Sequence, residues 1–304
     1  MDRLKTNICG IEFKNPIIAA SGTFGYGLEF KRFTDLTQIG GISVKGISLN
    51  ETEGNPMPRI TETYSGMLNA IGLQNVGVEK FVTEKLPALK NIDTRVIVNF
   101  WGKTIDEYIE VAKILDETPR VDMLEMNISC PNIKEGGISF SSSPETVKEV
   151  VIACRKVIKN KPLIVKLSPN VQDIKPFAKV CEDSGADALS AINTLIGMAI
   201  DVERMKPILA NITGGLSGPA IKPIALRFVK EIYETVKIPI IGAGGIGCWK
   251  DAAEFILAGA SAVQIGTANF INANICNETA SGLNEYLERK NIDNFNDIVG
   301  KAVK

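Results

Sequence analysis

The segment 123–137, MLEMNISCPNIKEGG, combines the pattern of a buried strand with side chains that could do chemistry. It begins as an apolar run and breaks at Pro131 into a polar loop that closes on glycine. It places Asn127, Cys130 and Asn132 within six positions of one another. Amides at a strand end supply fixed hydrogen-bond donors and acceptors, and a thiol between them can move a proton. This composition predicts a site for a flat small molecule that is rich in heteroatoms.

Cys130 differs from the other cysteines in its surroundings. Cys154 and Cys181 fall on apolar helix faces, where a cysteine is usually a small buried hydrophobic residue. Cys130 instead follows a strand end and is flanked by polar residues. An unperturbed thiol titrates near pH ~8.5, so a thiol base would favour mildly alkaline conditions. We therefore expect Cys130 to be a chemical group rather than a packing residue.

Lys45 and Lys166 each end an apolar run. A buried ammonium needs an anionic partner, whereas a lysine at the rim of a fold can extend its charge into solvent. Both alternatives are open for either lysine alone. Two lysines at the same end of a sheet favour an anion, or a ligand that becomes one.

Glycines mark two further strand ends. Residues 242–247 formally match the dinucleotide pattern G-x-G-x-x-G, but no acidic residue ends a strand about 20 residues later, where Gly266 and Thr267 stand. In a barrel, the loops after the last two strands form a phosphate site from glycine amides and a helix N-terminus. Gly244, Gly245, Gly266 and Thr267 occupy those loops. Tight turns that simply require glycine are the alternative.

Five asparagines lie at predicted strand ends or in adjoining loops: Asn69, Asn99, Asn127, Asn132 and Asn193. Together they form a neutral hydrogen-bonding cage suited to an imide or amide ring. A phosphate pocket, two lysines, this cage and a thiol base point to flavin mononucleotide (FMN) above a cyclic amide substrate.

Positioning these groups requires a particular fold. Short apolar runs that close on a polar residue or glycine recur at 17–21, 41–45, 96–99, 123–127, 163–166, 188–193, 239–244 and 262–266. Helical patterns separate most of them, opening at the capping box of Thr104 and Glu107, at Pro144 and near 174, 220, 250 and 277. Eight such units predict a (β/α)8 TIM barrel spanning residues 1–304 as one domain, in which the polar strand ends share one mouth. A hairpin at 4–13 caps the fold, and long loops at 46–95 and 194–219 contribute to the pocket.

Composition excludes several classes of function. The chain has no histidine, which removes histidine-based nucleophilic machinery and histidine-ligated zinc. Six cysteines without a C-x-x-C pair predict free thiols, no iron–sulfur cluster in this chain and no metal site. A net charge of −1 gives no footprint for nucleic acid or anionic membrane. No apolar signal or membrane-spanning run is present, so we expect a cytoplasmic protein.

The motifs also resemble a known family. The stretches 69–75 (NAIGLQN), 127–132 (NISCPN), 192–194 (INT), 214–219 (GGLSGP) and 241–246 (IGAGGI) are similar in order and spacing to class 1 dihydroorotate dehydrogenases. The likeness runs from about residue 3 to residue 300. The stretch 20–27 and the KEGG that follows Asn132 are closer to class 1B than to the fumarate-using class 1A. Cys130 stands where the membrane-associated class 2 has a serine.

The resemblance implies oxidation of (S)-dihydroorotate to orotate in pyrimidine biosynthesis. Cys130 would take the proton from C5 while hydride leaves C6 for flavin N5, with Lys166 beside the flavin N1/O2 edge. The flavin would contact Ser21, Lys45, Gly46, Asn99, Asn127, Lys166, Ile192, Gly218, Gly244, Gly245, Gly266 and Thr267. The substrate would contact Lys45, Asn69, Ala70, Ile71, Gly72, Leu73, Asn127, Asn132, Asn193 and Thr194.

The resemblance further implies a partner. Class 1B enzymes pass electrons to NAD through a second subunit that carries FAD and a [2Fe–2S] cluster, in a heterotetramer of two plus two subunits built on a homodimer. The loop after Cys130 would close over the site, although residues 140–144 (FSSSP) depart from the family's turn. A homodimer that uses fumarate and a flavin-binding barrel without turnover remain as alternatives.

Overall fold

Eight parallel strands close into a barrel in which each strand pairs with the next in the chain and the eighth pairs with the first. The structure, a computed structural model, describes residues 2–129, 131–132 and 138–303. The first to eighth barrel strands are Ile17–Ala19, Gly41–Ile47, Arg95–Phe100, Met123–Asn127, Leu163–Lys166, Ala188–Ala191, Ile240–Ala243 and Ala262–Ile265. The predicted (β/α)8 barrel is confirmed, and all eight predicted runs are strands.

In the part of the chain that the structure describes, six long helices pack around the barrel: Ile105–Glu117, Pro144–Val157, Lys175–Asp183, Lys222–Thr235, Trp249–Leu257 and Ile275–Arg289. The first begins as predicted, because the Thr104 side chain accepts a hydrogen bond from the Glu107 amide. The Glu107 carboxylate, however, accepts from the amide of Lys103, one residue before the expected partner. Among the described helices, none is long and apolar enough to cross a membrane.

Shorter helical turns complete the outer layer. Two 3₁₀ turns, Leu28–Phe30 and Leu36–Gln38, stand in place of a helix after the first barrel strand. An irregular helix follows the second, as Val78–Lys80, the π-helical Phe81–Lys85 and the 3₁₀ turn Leu86–Leu89. The remaining 3₁₀ turns are Asp2–Leu4, Phe140–Ser142, Pro219–Ile221, Thr267–Phe270 and Phe295–Ile298.

The barrel interior changes from apolar to polar along its axis. Side chains alternate across a strand, so residues two apart point to the same side of the sheet. One apolar cluster is formed by Ile18, Ile97, Met123, Ile164, Ala188, Ile241 and Ala262, with Ile8 and Phe13 of the N-terminal hairpin. That hairpin, Thr6–Ile8 paired with Ile11–Phe13, confirms the predicted cap. Two residues further along the same strands come Asn99, Glu125, Lys166, Ser190 and Gln264.

The two long connections are not plain loops. Ile60–Thr63 and Gly66–Asn69 from the first connection join Leu195–Met198 and Thr213–Ser217 from the second in a four-stranded antiparallel sheet. Two shorter antiparallel pairs are Ile200–Asp201 with Lys206–Pro207 and Pro131–Asn132 with Ile138–Ser139. The sequence did not predict the sheet, because its strands are short and the pairing that joins its two halves, Gly66–Asn69 with Thr213–Ser217, is between segments distant in the chain. The sheet ties the loop at 69–73 to the segment that follows the sixth barrel strand.

Candidate active site

A buried ion pair lies inside the barrel below its C-terminal mouth. The Lys166 Nζ atom is 3.5 Å from the Glu125 Oε1 atom and 3.1 Å from the Gln264 Oε1 atom. The Glu125 carboxylate is fully buried, and the Lys166 side chain is 9% exposed. A charged pair at this depth needs further hydrogen bonds to offset the loss of water. The barrel supplies them from its neighbouring strands.

The Glu125 carboxylate accepts hydrogen bonds from four side chains. Its Oε1 atom accepts from Asn99 at 2.7 Å and Ser43 at 3.2 Å, and its Oε2 atom accepts from the Gln264 amide at 2.5 Å. Lys166 is the fourth donor. Burial raises the pKa of Glu125, but the Lys166 ammonium and the bonds from Gln264 and Asn99 hold this pKa below its ordinary value. Glu125 is therefore an ionised counter-charge.

Amide side chains meet at the mouth, as predicted for Asn127 and Asn193. The Asn127 Oδ1 atom accepts from the Ser129 amide at 3.1 Å and from the Asn193 Nδ2 atom at 3.3 Å. The same Nδ2 atom donates to the Ser129 hydroxyl at 3.1 Å. From behind, the buried Tyr108 hydroxyl donates to the Asn127 carbonyl at 2.6 Å. These bonds fix the chain immediately before Cys130.

Lys45, near the end of the second barrel strand, differs from Lys166. Its ammonium is partly buried, yet among the described residues it has no carboxylate within ion-pair distance. Burial and the nearby Arg59 guanidinium lower the pKa of Lys45 below its ordinary value. The next residue, Gly46, lies against the Asn99 amide oxygen, 2.9 Å from where a Cβ would stand. The Trp101 indole N–H, also close to Gly46, is buried without an acceptor in the described structure.

Glycines and a threonine from three loops converge at one side of the mouth. A Cβ on Gly245, whose φ is +77°, would lie 2.8 Å from the Gly218 carbonyl oxygen. A Cβ on Gly244, whose φ is +125°, would lie 3.4 Å from the Ile192 side chain. The Thr267 hydroxyl shares a 2.8 Å hydrogen bond with that of Ser217. Gly244, Gly245 and Gly218 thus form a cradle with no room for a Cβ, whereas a Cβ on the predicted Gly266 would meet its nearest neighbour only at 3.7 Å.

The remaining predicted residues surround this region. Ala70, Ile71 and Gly72 pack on Asn55, whose side chain donates to the Ala70 carbonyl at 2.9 Å and whose amide donates to that of Ile71 at 3.0 Å. Asn69 bonds the Gly215 carbonyl at 3.3 Å.

The other predicted site residues are located by their backbone. The Thr194 amide donates to the Asn193 Oδ1 atom at 2.8 Å. Leu73 has a positive φ of 57°. Ser21 follows the first barrel strand, and Gly266 follows the eighth.

Two predicted residues fall at the limit of what the structure describes. Cys130 lies outside the described residues, and Asn132 is described only as backbone of the short strand Pro131–Asn132. The described cysteines are free thiols, as expected. Burial raises the pKa of Cys9, Cys154 and Cys276 to about 12 in each case, and raises that of Cys181 further. None of these four thiols is suited to accept a proton near neutral pH.

Glu125, Gln264 and Ser43 were not among the residues predicted from the sequence. Each lies within an apolar barrel strand, and an acidic residue in such a run is a signal, because an unpaired buried carboxylate is costly. Glu125 stands two residues before Asn127, so strand alternation places both on the inward side. The pattern does not reveal which cation pairs with Glu125.

A separate cleft of about 400 Å³ lies at the opposite end of the barrel, beside the N-terminal hairpin. Its lining includes Lys14, 2.6 Å from the Asp93 carboxylate, and Arg95, 3.5 Å from that of Asp122. Because these cations are already neutralised, the cleft is the weaker candidate for binding an anion. Within the described part of the chain, no group of cysteine and acidic residues could hold a metal ion.

The fold and mouth define a (β/α)8 barrel with a buried ion pair, an amide cluster and a glycine cradle at its C-terminal end. The family model described as dihydroorotate dehydrogenase matches residues 3–287, and the chain belongs to that family. It is 57% identical over 297 residues to a Pelobacter propionicus protein, covering 98% of this chain and 97% of the relative. That relative is named dihydroorotate dehydrogenase B (NAD(+)), catalytic subunit.

Other comparisons agree. A Bacteroides thetaiotaomicron protein of the same name is 54% identical over 300 residues, which is 99% of each chain. A crystal structure of an Eimeria tenella dihydroorotate dehydrogenase with ferulenol superposes with a TM-score of 0.82 at 24% identity. It covers 99% of this chain and 89% of that one. This likeness supports the barrel fold.

Proposed function

We propose that this chain oxidises (S)-dihydroorotate to orotate in pyrimidine biosynthesis, with FMN as its redox cofactor. Family membership supports the reaction class. The observation that carries the proposal is the presence at one barrel mouth of Lys166, which is paired with Glu125, and of Lys45, which has no carboxylate within ion-pair distance among the described residues. The first suits the edge of a neutral ring, and the second suits the carboxylate of an anionic substrate.

The residues at the mouth fit FMN on two counts. The cradle of Gly218, Gly244 and Gly245 exposes backbone where a phosphate can approach closely. The Trp101 indole N–H is a buried donor in need of an acceptor. FMN, when bound, supplies hydride acceptance. The proposed contacts are Ser21, Lys45, Gly46, Asn99, Asn127, Lys166, Ile192, Gly218, Gly244, Gly245, Gly266 and Thr267.

Cys130 is the proposed general base, which takes the proton from C5 of the substrate. Support comes from its neighbour Ser129, which is held at the mouth by Asn193, and from the raised pKa values of four buried thiols elsewhere. The proposed substrate contacts are Lys45, Asn69, Ala70, Ile71, Gly72, Leu73, Asn127, Asn132, Asn193 and Thr194. In this arrangement Lys45 binds the carboxylate, and the amides bind the ring.

The proposed final acceptor is NAD, reached through a partner subunit that carries FAD and a [2Fe–2S] cluster. The relatives' names, which specify NAD(+) and a catalytic subunit, support an electron-transfer partner. We propose two copies of each subunit. A homodimer that reduces fumarate is the competing assembly, and it keeps the same chemistry at the barrel mouth.

Anaerobic reduction tests the proposal. The purified chain, reconstituted with FMN, should show a flavin band that bleaches when dihydroorotate is added. A bound flavin that does not bleach would contradict the assignment of dihydroorotate as substrate. Failure to bind FMN would contradict the assignment of FMN as cofactor. Reoxidation by NAD only when the partner is present supports the assembly, whereas reoxidation by fumarate without a partner contradicts it.

A further inference from the structure

Glu125 is the centre of the most connected polar group in the described barrel, and neither the mechanism above nor the family motifs use it. Its two oxygens accept from side chains of the second, third, fifth and eighth barrel strands. Lys166 is the one cation within ion-pair distance of this carboxylate among the described residues. An arrangement that converges on one lysine indicates a role in placing that lysine.

Gln264 completes the arrangement. Its amide oxygen accepts from the Lys166 ammonium at 3.1 Å, while its amide nitrogen donates to the Glu125 Oε2 atom. Reversing the amide would place a donor against the ammonium and an acceptor against the carboxylate, so its orientation is set by both charges. Two of the three ammonium donors of Lys166 are thereby directed into the barrel. These two bonds leave one donor of the ammonium for a further acceptor.

We infer that Glu125 is a positioning residue that, with Gln264, holds the Lys166 ammonium charged and aimed at the redox cofactor bound in the barrel mouth. This inference rests on the proposed binding of FMN. An ammonium in this buried place, deprived of its counter-charge, loses an acceptor and is disfavoured in its charged form. Glu125 therefore sets how strongly Lys166 stabilises negative charge on the reduced cofactor.

The test uses a double-mutant cycle of Glu125→Gln, Lys166→Met and the double variant, each compared with the wild-type chain. Two quantities are measured: the melting temperature of the FMN-free protein and the midpoint potential of bound FMN, titrated spectroscopically with a reductant and a reference dye. Glutamine has nearly the shape of glutamate, so the substitution removes the charge with little change in volume. Asp116→Asn is the matched control.

Asp116 is 4% exposed and accepts from the backbone amides of residues 159–161, far from the mouth. Asp116→Asn should therefore lower the melting temperature without moving the FMN potential. Glu125→Gln should lower the melting temperature and also shift the potential to more negative values, because the ammonium stabilises the reduced cofactor less. In the Lys166→Met background the same substitution should cause no negative shift, and the double variant should recover much of the melting temperature lost in either single variant.

The opposite results overturn the inference. A positive shift in Glu125→Gln would show that the carboxylate acts directly on the cofactor by its own field. A negative shift that persists in the Lys166→Met background would show that it does not act through Lys166. If the wild-type chain binds no FMN, the proposed function fails, and the melting temperatures alone test the pairing of Glu125 with Lys166. If the double variant then loses the sum of the melting-temperature decreases of the two single variants, the pairing is refuted. Should Glu125→Gln not fold, folding of the double variant supports the pairing, and its failure to fold contradicts it.

Discussion

Replacing Lys45 with methionine separates substrate affinity from stability. The Lys45 ammonium has no described carboxylate within ion-pair distance, and its pKa is lowered first by burial and then by the charge of Arg59. Its charge is therefore a cost to the empty protein, which the substrate carboxylate should offset on binding. We expect Lys45→Met to weaken dihydroorotate binding and at the same time to stabilise the ligand-free chain.

The magnitude follows from the lost contact. A hydrogen bond to a charged group contributes roughly 1.5–3 kcal/mol. Since about 1.4 kcal/mol corresponds to a factor of ten, the Kd for dihydroorotate should rise roughly 10- to 150-fold. Anaerobic stopped-flow reduction of the flavin at several substrate concentrations gives the Kd and the limiting rate separately. The limiting rate should change less than the Kd, because an ion pair with the carboxylate is made in the bound ground state as well as in the transition state, and neither the base nor the hydride acceptor is altered.

The stability gain should depend on pH in a defined direction. A lysine whose pKa is lower in the folded chain than in the unfolded chain destabilises the fold at pH values below both. That penalty disappears as the pH rises through the ordinary lysine value of about 10.4. Lys45→Met should therefore be more stable than wild type at neutral pH and equal to it above that value.

Lys103→Met, at an exposed lysine after the third barrel strand, is the control. It should change neither the Kd for dihydroorotate nor the stability of the ligand-free chain. An unchanged Kd in Lys45→Met, or a lower stability at neutral pH, would refute the reasoning.

Three further predictions concern the base, the cradle and the scaffold. Cys130→Ala should retain FMN and lose roughly 10²- to 10⁴-fold in the rate of flavin reduction. Cys154→Ala, the control, should reduce the flavin at the wild-type rate. A normal rate in Cys130→Ala would exclude Cys130 as the base. Gly245→Ala should weaken FMN binding, measured by flavin fluorescence, because the new Cβ would lie 2.8 Å from the Gly218 carbonyl oxygen. Gly247→Ala is the control, because its Cβ would meet only the Asp251 side chain, at 3.7 Å. Equal FMN affinities in the two variants would contradict the cradle. Asp116→Asn should lower the free energy of unfolding by about 1–3 kcal/mol, measured by urea denaturation, because the backbone amides of residues 159–161 lose a charged acceptor. An unchanged free energy of unfolding would show that these hydrogen bonds contribute nothing to stability.

Much of the barrel could be predicted from the sequence, because local patterns report local structure. Apolar runs closing on polar residues located all eight strands, since a parallel sheet covered by helices needs strands that are buried on both faces. Pro144 and the Thr104 cap located two helix starts. The antiparallel sheet built from the two long connections was not predicted. The pairing that joins its two halves spans more than a hundred residues, as Gly215 with Asn69 shows, and no local pattern encodes that pairing.

The candidate site, like the fold, could be predicted from the sequence only in part. Sequence alone was enough to exclude histidine chemistry, to select Asn127 and Asn193, and to place Lys45 and Lys166 at strand ends. Before the family resemblance was considered, the residue pattern treated the two lysines alike. Tertiary structure distinguished them, by pairing Lys166 with Glu125 from the fourth barrel strand and leaving Lys45 without a described carboxylate partner. Strand alternation determines that a side chain faces the interior, but the closure of the barrel brings together residues as distant as Glu125 and Gln264, and those contacts decide which charge is compensated.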